Sequence, residues 1–249
     1  MTDLSDFEIS RKWPAKHADR IQLYSLPTPN GIKVSAMLEE TGLPYEPHVV
    51  DFGSNDQLSP EFLSLNPNNK IPAIIDPHGP GGEPLPLWES GAILIYLAEK
   101  SGKFLPQEPA RRAETLQWLM WQMGGFGPMA GQLGFFHKFA GRDYEDRRPF
   151  ERYRDETKRL LGVLDRQLDG RDFIMGSDYT VADMACWPWV VTYKKQNIDL
   201  HEFKNVRRWY DHLKTRPGLR RGYDVGKEFG KPEGKWDAEA RKHLMPHTR

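Results

Sequence analysis

The chain has 249 residues, of which 38% are hydrophobic and 28% are charged, so it can bury the core of one large domain or two compact ones. Lysine plus arginine and aspartate plus glutamate both number 35, and no long basic block points to nucleic acid or an anionic membrane. A single cysteine excludes an internal disulfide framework and any Cys-x-x-Cys redox or zinc pair.

The first 20 residues form a polar and charged arm, with Phe7, Ile9 and Trp13 as candidate anchors. They contain no apolar segment of the kind that a secretory signal carries. No run in the chain reaches the roughly 18 apolar residues that span a bilayer. We therefore expect a cytoplasmic protein without a membrane segment. The arm lies on the surface or on a partner subunit, unless it frays as many chain termini do.

A βαβ unit is predicted directly after the arm. Short strands are predicted at residues 21–25 and 45–51, and an amphipathic helix at residues 31–40, closed by Gly42. Residues 59–65 predict a short helical turn with proline in an N-terminal position. Between the first strand and the helix, Thr28-Pro29-Asn30 predicts a turn and a helix cap.

A hairpin and a helix are predicted next. Residues 73–76 and 85–88 are short apolar runs, and the segment PHGPGGEP between them is dense in turn residues. Two short strands joined by such a turn form a hairpin. Apolar residues then recur at helical spacing through residues 91–98.

Two dipeptides at the ends of this hairpin favour ligand binding. Proline is often found where a tight turn requires a cis peptide bond, and Ile71-Pro72 is a candidate for such a bond. A cis bond here would leave the backbone N–H and C=O of Ile71 available to pair with an extended ligand. A trans proline at a strand edge is the alternative. Glu89-Ser90 opens the next helix, where free N–H groups favour an anion. A carboxylate beside a hydroxyl there can hold both charges of an amino-acid zwitterion, and an ordinary helix cap is the alternative.

The second half of the chain predicts helices. Residues 110–140 form a long helix that GGFGP at residues 124–128 interrupts, because glycine weakens a helix and Pro128 forces a kink or break. Residues 150–168 and 203–215 are amphipathic. The histidines are scattered and show no metal-ligand spacing, so no metal site is expected.

Thr180-Val181-Ala182-Asp183 has the pattern of a capping box, with Thr180 as the N-cap and Asp183 at the third helical position. We interpret this motif as a folding element, so Asp183 is not expected to be a catalytic acid. Cys186 follows in an almost wholly apolar helix and is expected to behave as a small core residue.

Together, NPNNKIPA at residues 66–73 and ESGAIL at residues 89–94 resemble the glutathione site of the cytosolic glutathione transferases. TPNGIK at residues 28–33 is similar to the bacterial nu-class members and to the fungal relatives of the yeast nitrogen regulator. The resemblance spans roughly residues 21–221. It implies an α/β plus all-α protein, in which a thioredoxin-like βαβαββα domain precedes an all-helical domain.

On this resemblance we predict an N-terminal arm at residues 1–20 and a thioredoxin-like, glutathione-binding domain at residues 21–102. A linker at residues 103–109 leads to an all-helical domain at residues 110–222, which a tail at residues 223–249 follows. Family members pair the first domain of one subunit with the second domain of another, so a homodimer is expected.

The resemblance also implies residue roles. Thr28 and Asn30 would contact the glutathione sulfur, whereas Tyr24 on the strand packs or points away. The backbone of Ile71, before Pro72, would pair with the cysteinyl part of glutathione. The remaining candidates are Glu89 and Ser90 for the γ-glutamyl group, Gln57, Asn69 and Lys70 for the rest of the peptide, and Arg152 in a Glu-Arg-Tyr triplet, for which a solvated surface arginine is the alternative.

The predicted function is the reduction of small disulfides, with bound glutathione supplying both thiols because the chain has no suitably placed cysteine. Conjugation of glutathione to an electrophile uses the same thiolate, and the residues alone do not separate the two reactions. The nu-like motif favours disulfide reduction. A glutathione-binding regulator is the non-enzymatic alternative, although in the yeast member that role is associated with a long Asn-rich region that this sequence lacks.

Overall fold

The computed structural model describes residues 3–226, and the chain divides into two compact units. Within the described residues, unit 1 comprises residues 3–97 and 220–226, and unit 2 comprises residues 98–219. The domain bounds given above stay a prediction, and the tail beyond residue 226 lies outside the described part of the chain.

Unit 1 has the predicted βαβαββα order. Its elements are β1 (Ile21–Ser25), α1 (Pro29–Thr41), β2 (Tyr45–Val49), α2 (Pro60–Leu65), β3 (Ala73–Asp76), β4 (Leu85–Trp88) and α3 (Ser90–Ser101). The β3–β4 hairpin and the helix after it are where the apolar runs and turn residues predicted them. The thioredoxin-like fold of this unit is therefore confirmed.

The four strands form one sheet in the order β2-β1-β3-β4. β1 and β2 are parallel, with Ser25 opposite Val49. β3 is antiparallel to both neighbours, so Ala73 lies opposite Tyr24 on one side and Trp88 on the other. The ends of β1, β2 and β4 and the start of β3 therefore meet at one edge of the sheet. We call this edge, with the segments that leave and enter it, the loop edge.

The N-terminal arm folds against unit 1, where the sequence left its location open. Ile9 has no exposed surface, and it belongs to the same apolar cluster as Phe62 of α2 and Ile71. Trp13 donates from Nε1 to the carbonyl of Val49 at 3.0 Å. The Glu46 carboxylate accepts the backbone N–H of His17 at 2.8 Å. The arm thus covers the outer strand β2, which would otherwise present an unpaired edge.

Unit 2 is helical within the described residues. Its helices are α4 (Pro109–Trp121), α5 (Gly127–Lys138), α6 (Arg148–Gln167), α7 (Val181–Val190) and α8 (Lys204–Leu213). The predicted interruption between α4 and α5 is a π-helical stretch at Gln122–Phe126, a form that widens a helix locally without ending it. Across residues 3–226, no helix combines the length and the apolar character that crossing a membrane requires.

The capping box is formed, and its carboxylate connects several elements of unit 2. Asp183 Oδ1 accepts the backbone N–H of Ile174 and the indole N–H of Trp209, both at 2.9 Å. Asp183 Oδ2 accepts the backbone N–H of Thr180 at 3.0 Å. Burial raises the pKa of Asp183 to about 6, although these donors act in the opposite direction. Asp183 and Cys186 are both fully buried, which matches their predicted structural roles.

A further helix, α9 (Pro217–Asp224), was not predicted, because a proline shortly after a helix usually marks its end. Proline is also favoured at the first position of a helix, and here it begins α9. The end of α9 lies on α1: Ser35 Oγ donates to the carbonyl of Gly222 at 2.7 Å. A Cβ at Gly222 would come within 2.3 Å of the Ala36 Cα, so this approach requires glycine.

Candidate functional site

The loop edge collects nearly all of the predicted site residues. Thr28 and Asn30 follow β1, and Gln57 follows β2. Residues 69–72 lead into β3, and Glu89 and Ser90 follow β4. Because the four strands meet at this edge, sheet topology brings together residues that are distant in sequence. The edge therefore brings hydroxyl, amide, carboxylate and ammonium side chains from distant parts of the chain together.

Thr28 is the N-cap of α1. Its Oγ1 accepts the backbone N–H of Gly31 at 3.1 Å, and a hydroxyl in that role still has its own hydrogen to donate. Asn30 is the second residue of α1, and both side chains are half-buried. A Cβ at Gly31 would come within 2.0 Å of the Leu26 carbonyl oxygen, so the start of α1 is pressed against the loop that precedes it.

Tyr24 is not available to a ligand at this edge. Its side chain is 1% exposed and stacks on the ring of His48 with centroids 4.8 Å apart. Burial raises the pKa of the Tyr24 phenol and lowers the pKa of His48, because it disfavours the charged form of each group. The expectation that Tyr24 packs instead of contacting sulfur is met.

The peptide bond between Ile71 and Pro72 is cis, which decides between the two alternatives that the sequence left open. The ladder between β1 and β3 begins at Ala73, so Ile71 lies just outside it. Asn69 has a left-handed φ of 50° and is half-buried, whereas the Lys70 side chain is exposed. Asn66, which sequence reasoning did not single out, shapes this loop by donating from Nδ2 to the Lys70 carbonyl at 2.6 Å.

Glu89 and Ser90 begin α3, where the carbonyl of Glu89 accepts the backbone N–H of Ile93 at 2.9 Å. Glu89 is exposed and has a φ of 70°, a left-handed conformation that residues with side chains seldom adopt. Ser90 is 3% exposed. The chain thus turns sharply from β4 into α3, with a carboxylate on the surface and a hydroxyl beneath it.

Lys33 is a site residue that sequence reasoning missed. Its side chain is 1% exposed, and Nζ donates to Ser90 Oγ at 3.3 Å. A buried lysine needs polar partners to offset its desolvation, and the start of α3 supplies one. The sequence did contain a signal for its burial. Lys33 lies four residues before Met37, and residues at this spacing share one face of a helix, which here was predicted to be apolar.

Gln57 lies in the short 3₁₀ helix Asp56–Leu58 and is 5% exposed. Its Oε1 is buried and has no hydrogen-bond partner among residues 3–226. Buried amide oxygens nearly always have a donor, so the position of this oxygen favours a donor supplied by a ligand.

Arg152 belongs to α6 in unit 2. Its side chain is 72% exposed and lies 3.9 Å from the carboxylate of Glu156. An ion pair this open contributes little to stability, so Arg152 is not committed to a structural role. Its contact with glutathione stays a prediction. Among the described residues, no group of three or more His, Cys, Asp or Glu side chains is placed to hold a metal ion.

Comparisons with known families identify the class of protein. The glutathione S-transferase N-terminal domain matches residues 20–99, and the glutathione S-transferase C-terminal domain matches residues 149–212. The chain belongs to the glutathione S-transferase family.

Comparisons with individual proteins show which members of the family this chain is similar to. The chain is 50% identical over 201 residues to the disulfide-bond oxidoreductase YfcG of Escherichia coli, covering 79% of this chain and 91% of the relative. The glutathione transferase of Pseudomonas putida, solved with one glutathione disulfide per subunit, matches with a TM-score of 0.88 and 61% identity over 90% of this chain and 99% of the other. The Burkholderia graminis glutathione transferase, solved with two glutathione molecules per subunit, matches with a TM-score of 0.87 and 61% identity, covering 91% of this chain and 97% of the other.

Proposed function

We propose that this protein binds glutathione at the loop edge and uses its thiolate to reduce small disulfides. The observation that carries the proposal is the start of α3, where exposed Glu89 lies beside buried Ser90 and Ser90 accepts from buried Lys33. The Glu89 carboxylate is suited to an α-ammonium group. The Ser90 hydroxyl, the helix N-terminus and the Lys33 charge are suited to an α-carboxylate. The γ-glutamyl end of glutathione carries both groups.

The remainder of glutathione would lie along the same edge. The backbone of Ile71 would pair with the cysteinyl part, which directs the thiol toward Thr28 and Asn30. Gln57, Asn69 and Lys70 would bind the rest of the peptide, and the unpartnered Oε1 of Gln57 would accept one of its N–H groups. We also propose that Arg152 approaches the bound glutathione.

The chemistry begins with the thiol. A thiol with an ordinary pKa near ~8.5 is mostly protonated at neutral pH, and the thiolate is the nucleophile. Donors from Thr28 and Asn30 would stabilise the thiolate and thereby lower the pKa of the bound thiol. No protein base is needed to hold the proton, which passes to water.

Disulfide reduction then takes two exchange steps. The glutathione thiolate attacks one sulfur of the substrate disulfide, which forms a mixed disulfide and releases one substrate thiolate. A second glutathione thiolate attacks the glutathione sulfur of the mixed disulfide and releases the other substrate thiolate. Each thiolate takes up a proton from water. In total, two glutathione thiols are oxidised to glutathione disulfide and one substrate disulfide is reduced to two thiols.

Relatives favour disulfide reduction over conjugation. The similar YfcG protein is named a disulfide-bond oxidoreductase, and the similar Pseudomonas putida protein was solved with glutathione disulfide bound. Conjugation would use the same thiolate with a different acceptor, so it is the second candidate. The proposed activity consumes reduced glutathione, which accords with the predicted cytoplasmic location, where thiols are kept reduced.

The proposal is tested with the wild type, Ser90→Ala and the matched control Ser64→Ala, whose hydroxyl is exposed and bonds within its own helix. We expect the wild type to reduce a small dialkyl disulfide with glutathione, measured by coupling glutathione disulfide formation to NADPH oxidation. Calorimetry should show glutathione binding weakened by about 1–3 kcal/mol in Ser90→Ala, because the γ-glutamyl carboxylate would lose the hydrogen bond from the Ser90 hydroxyl. Ser64→Ala should bind as the wild type does.

Other outcomes have distinct meanings. Conjugation of a chlorinated nitroaromatic without disulfide reduction would favour the transferase alternative. Binding without either reaction would favour a regulator. Equal affinities of the Ser90→Ala variant and the wild type would contradict the assignment of the γ-glutamyl subsite.

We further propose that the protein is a homodimer. In the family, the first domain of one subunit pairs with the second domain of the other. Large apolar side chains are exposed in both units, including Leu58, Leu63 and Trp88 of unit 1 and Met120 of unit 2, so such a pairing would have apolar surface to bury. Static light scattering at micromolar concentration should give about twice the 28.8 kDa of one chain. A mass equal to that of one chain would refute the homodimer.

A further inference from the structure

The N-terminal arm reaches the loop edge through an ion pair. Lys12 Nζ lies 2.7 Å from Asp56 Oδ1, and the two side chains are 33% and 13% exposed. The other carboxylate oxygen, Asp56 Oδ2, accepts the backbone N–H of Asp51 at 2.8 Å. One carboxylate is thus held by the arm on one side and by the loop after β2 on the other.

Lys12 is itself held firmly on the arm. It lies at the end of the short 3₁₀ helix Glu8–Arg11, in which Ile9 is fully buried. Its ammonium group lies 5.2 Å from the centre of the Trp13 ring, and Trp13 is bonded to the Val49 carbonyl. An ion pair between two pre-positioned, partly buried groups loses less side-chain entropy than a pair of flexible surface chains. Lys12 therefore restrains Asp56.

Asp56 immediately precedes Gln57, and both lie in the same 3₁₀ helix. The orientation of this helix decides where the buried, unpartnered Oε1 of Gln57 points. Leaving such an oxygen without a donor costs free energy. A ligand N–H that reaches this oxygen therefore increases the affinity for the ligand, provided that the 3₁₀ helix keeps the oxygen in place. The ion pair with Lys12 is one of the contacts that keep it there.

We propose that the N-terminal arm is a positioning element of the glutathione site, in which Lys12 orients Asp56 and, through it, the side-chain amide of Gln57. Lys12 is a positioning residue and touches no ligand itself. This inference rests on the proposed function, because it takes Gln57 to contact glutathione. It gives the arm a role in affinity for glutathione.

The first test is Lys12→Met, which removes the charge and keeps an unbranched apolar stem. We expect the KM for glutathione to rise about threefold to tenfold with kcat nearly unchanged, because an interaction made equally in the ground and transition states affects KM alone. Lys12→Arg should restore most of the affinity. The control is Arg11→Met, since Arg11 lies next to Lys12 on the arm but is 76% exposed; its KM should equal that of the wild type.

The second test is a double-mutant cycle with Gln57→Ala, measured by calorimetry with reduced glutathione. If Lys12 acts through Gln57, Lys12→Met should weaken binding in the wild-type background and have no further effect in the Gln57→Ala background. A merely structural role would weaken binding equally in both backgrounds, and that result would overturn the inference. Should Lys12→Met fail to fold, Asp56→Asn replaces it, because asparagine keeps an acceptor for the Asp51 N–H and loses the charge.

The failure of the inference is distinguishable from the failure of the proposed function. If Ser90→Ala and Gln57→Ala weaken glutathione binding and Lys12→Met does not, the positioning role is wrong and the proposed function stands. If the wild type does not bind glutathione at all, both are wrong.

Discussion

Thr28→Ala and Asn30→Ala are each expected to lower the rate of disulfide reduction about tenfold to a hundredfold. Each substitution would remove a proposed donor to the thiolate sulfur, and a hydrogen bond to a charged group is worth about 1.5–3 kcal/mol. Thr28 caps α1, so its loss also releases the N–H of Gly31. The measurement is steady-state kinetics with a small disulfide and glutathione, normalised to folded protein.

Cys186→Ser is the control for this prediction and should keep most of the activity. Cys186 is fully buried in α7, so its thiol is hidden from substrate. An inactive but folded Cys186→Ser variant, together with wild-type rates in both loop variants, would show that the sulfur chemistry belongs to the protein. The mechanism with glutathione alone would then be wrong.

Asp183→Asn is expected to destabilise unit 2 by about 2–4 kcal/mol, because it weakens or breaks several hydrogen bonds within a fully buried network. The carboxylate accepts from Thr180, Ile174 and Trp209, whereas an amide has one acceptor and turns an N–H toward one of these donors. Chemical denaturation of the variant and the wild type measures the difference.

The pH dependence of this difference follows from the raised pKa of Asp183. The carboxyl titrates near 3.8 when exposed and at about 6 in the folded chain. The unfolded chain therefore releases this proton at lower pH than the folded chain does, and the stability that Asp183 contributes falls as pH rises from about 4 to about 6. Asparagine does not titrate, so the gap between the wild type and Asp183→Asn should be wider at pH 4 than at pH 7.

Asp178→Asn is the matched control for Asp183→Asn. Asp178 lies five residues earlier in the chain and pairs with Arg111 at 2.6 Å in an exposed position, where an ion pair contributes little. Its effect on unfolding free energy should stay within about 0.5 kcal/mol. Equal losses in the two variants, or a gap that widens as pH rises, would contradict the account given for Asp183.

The parts of the fold that were predicted are those specified by local sequence. Apolar runs bounded by turn residues predicted β3 and β4, and Thr180 with Asp183 predicted the capping box, because each signal lies within a few residues. The dipeptides Ile71-Pro72 and Glu89-Ser90 were predicted to bind ligand, and the register of the sheet then placed them at one edge.

The parts that were missed depend on contacts between distant segments. Ile9 was expected to anchor the arm, but the apolar cluster that it joins, with Phe62 and Ile71 among its members, is made of residues distant in sequence. Lys33 lies on the face of α1 that was predicted to be apolar, but Ser90, which accepts a hydrogen bond from it, is 57 residues away in sequence. Propensity and periodicity carry no information about such pairings.

Gly222 has a consequence for the order in which the protein is completed during synthesis. Residues 220–226 belong to unit 1 but are translated after all of unit 2. The face of α1 at Ser35 and Ala36, which Gly222 covers, therefore has no final neighbour while the ribosome makes the helical segment. A nascent chain stalled before residue 220 would present this face to chaperones, so the unit that begins first is finished last.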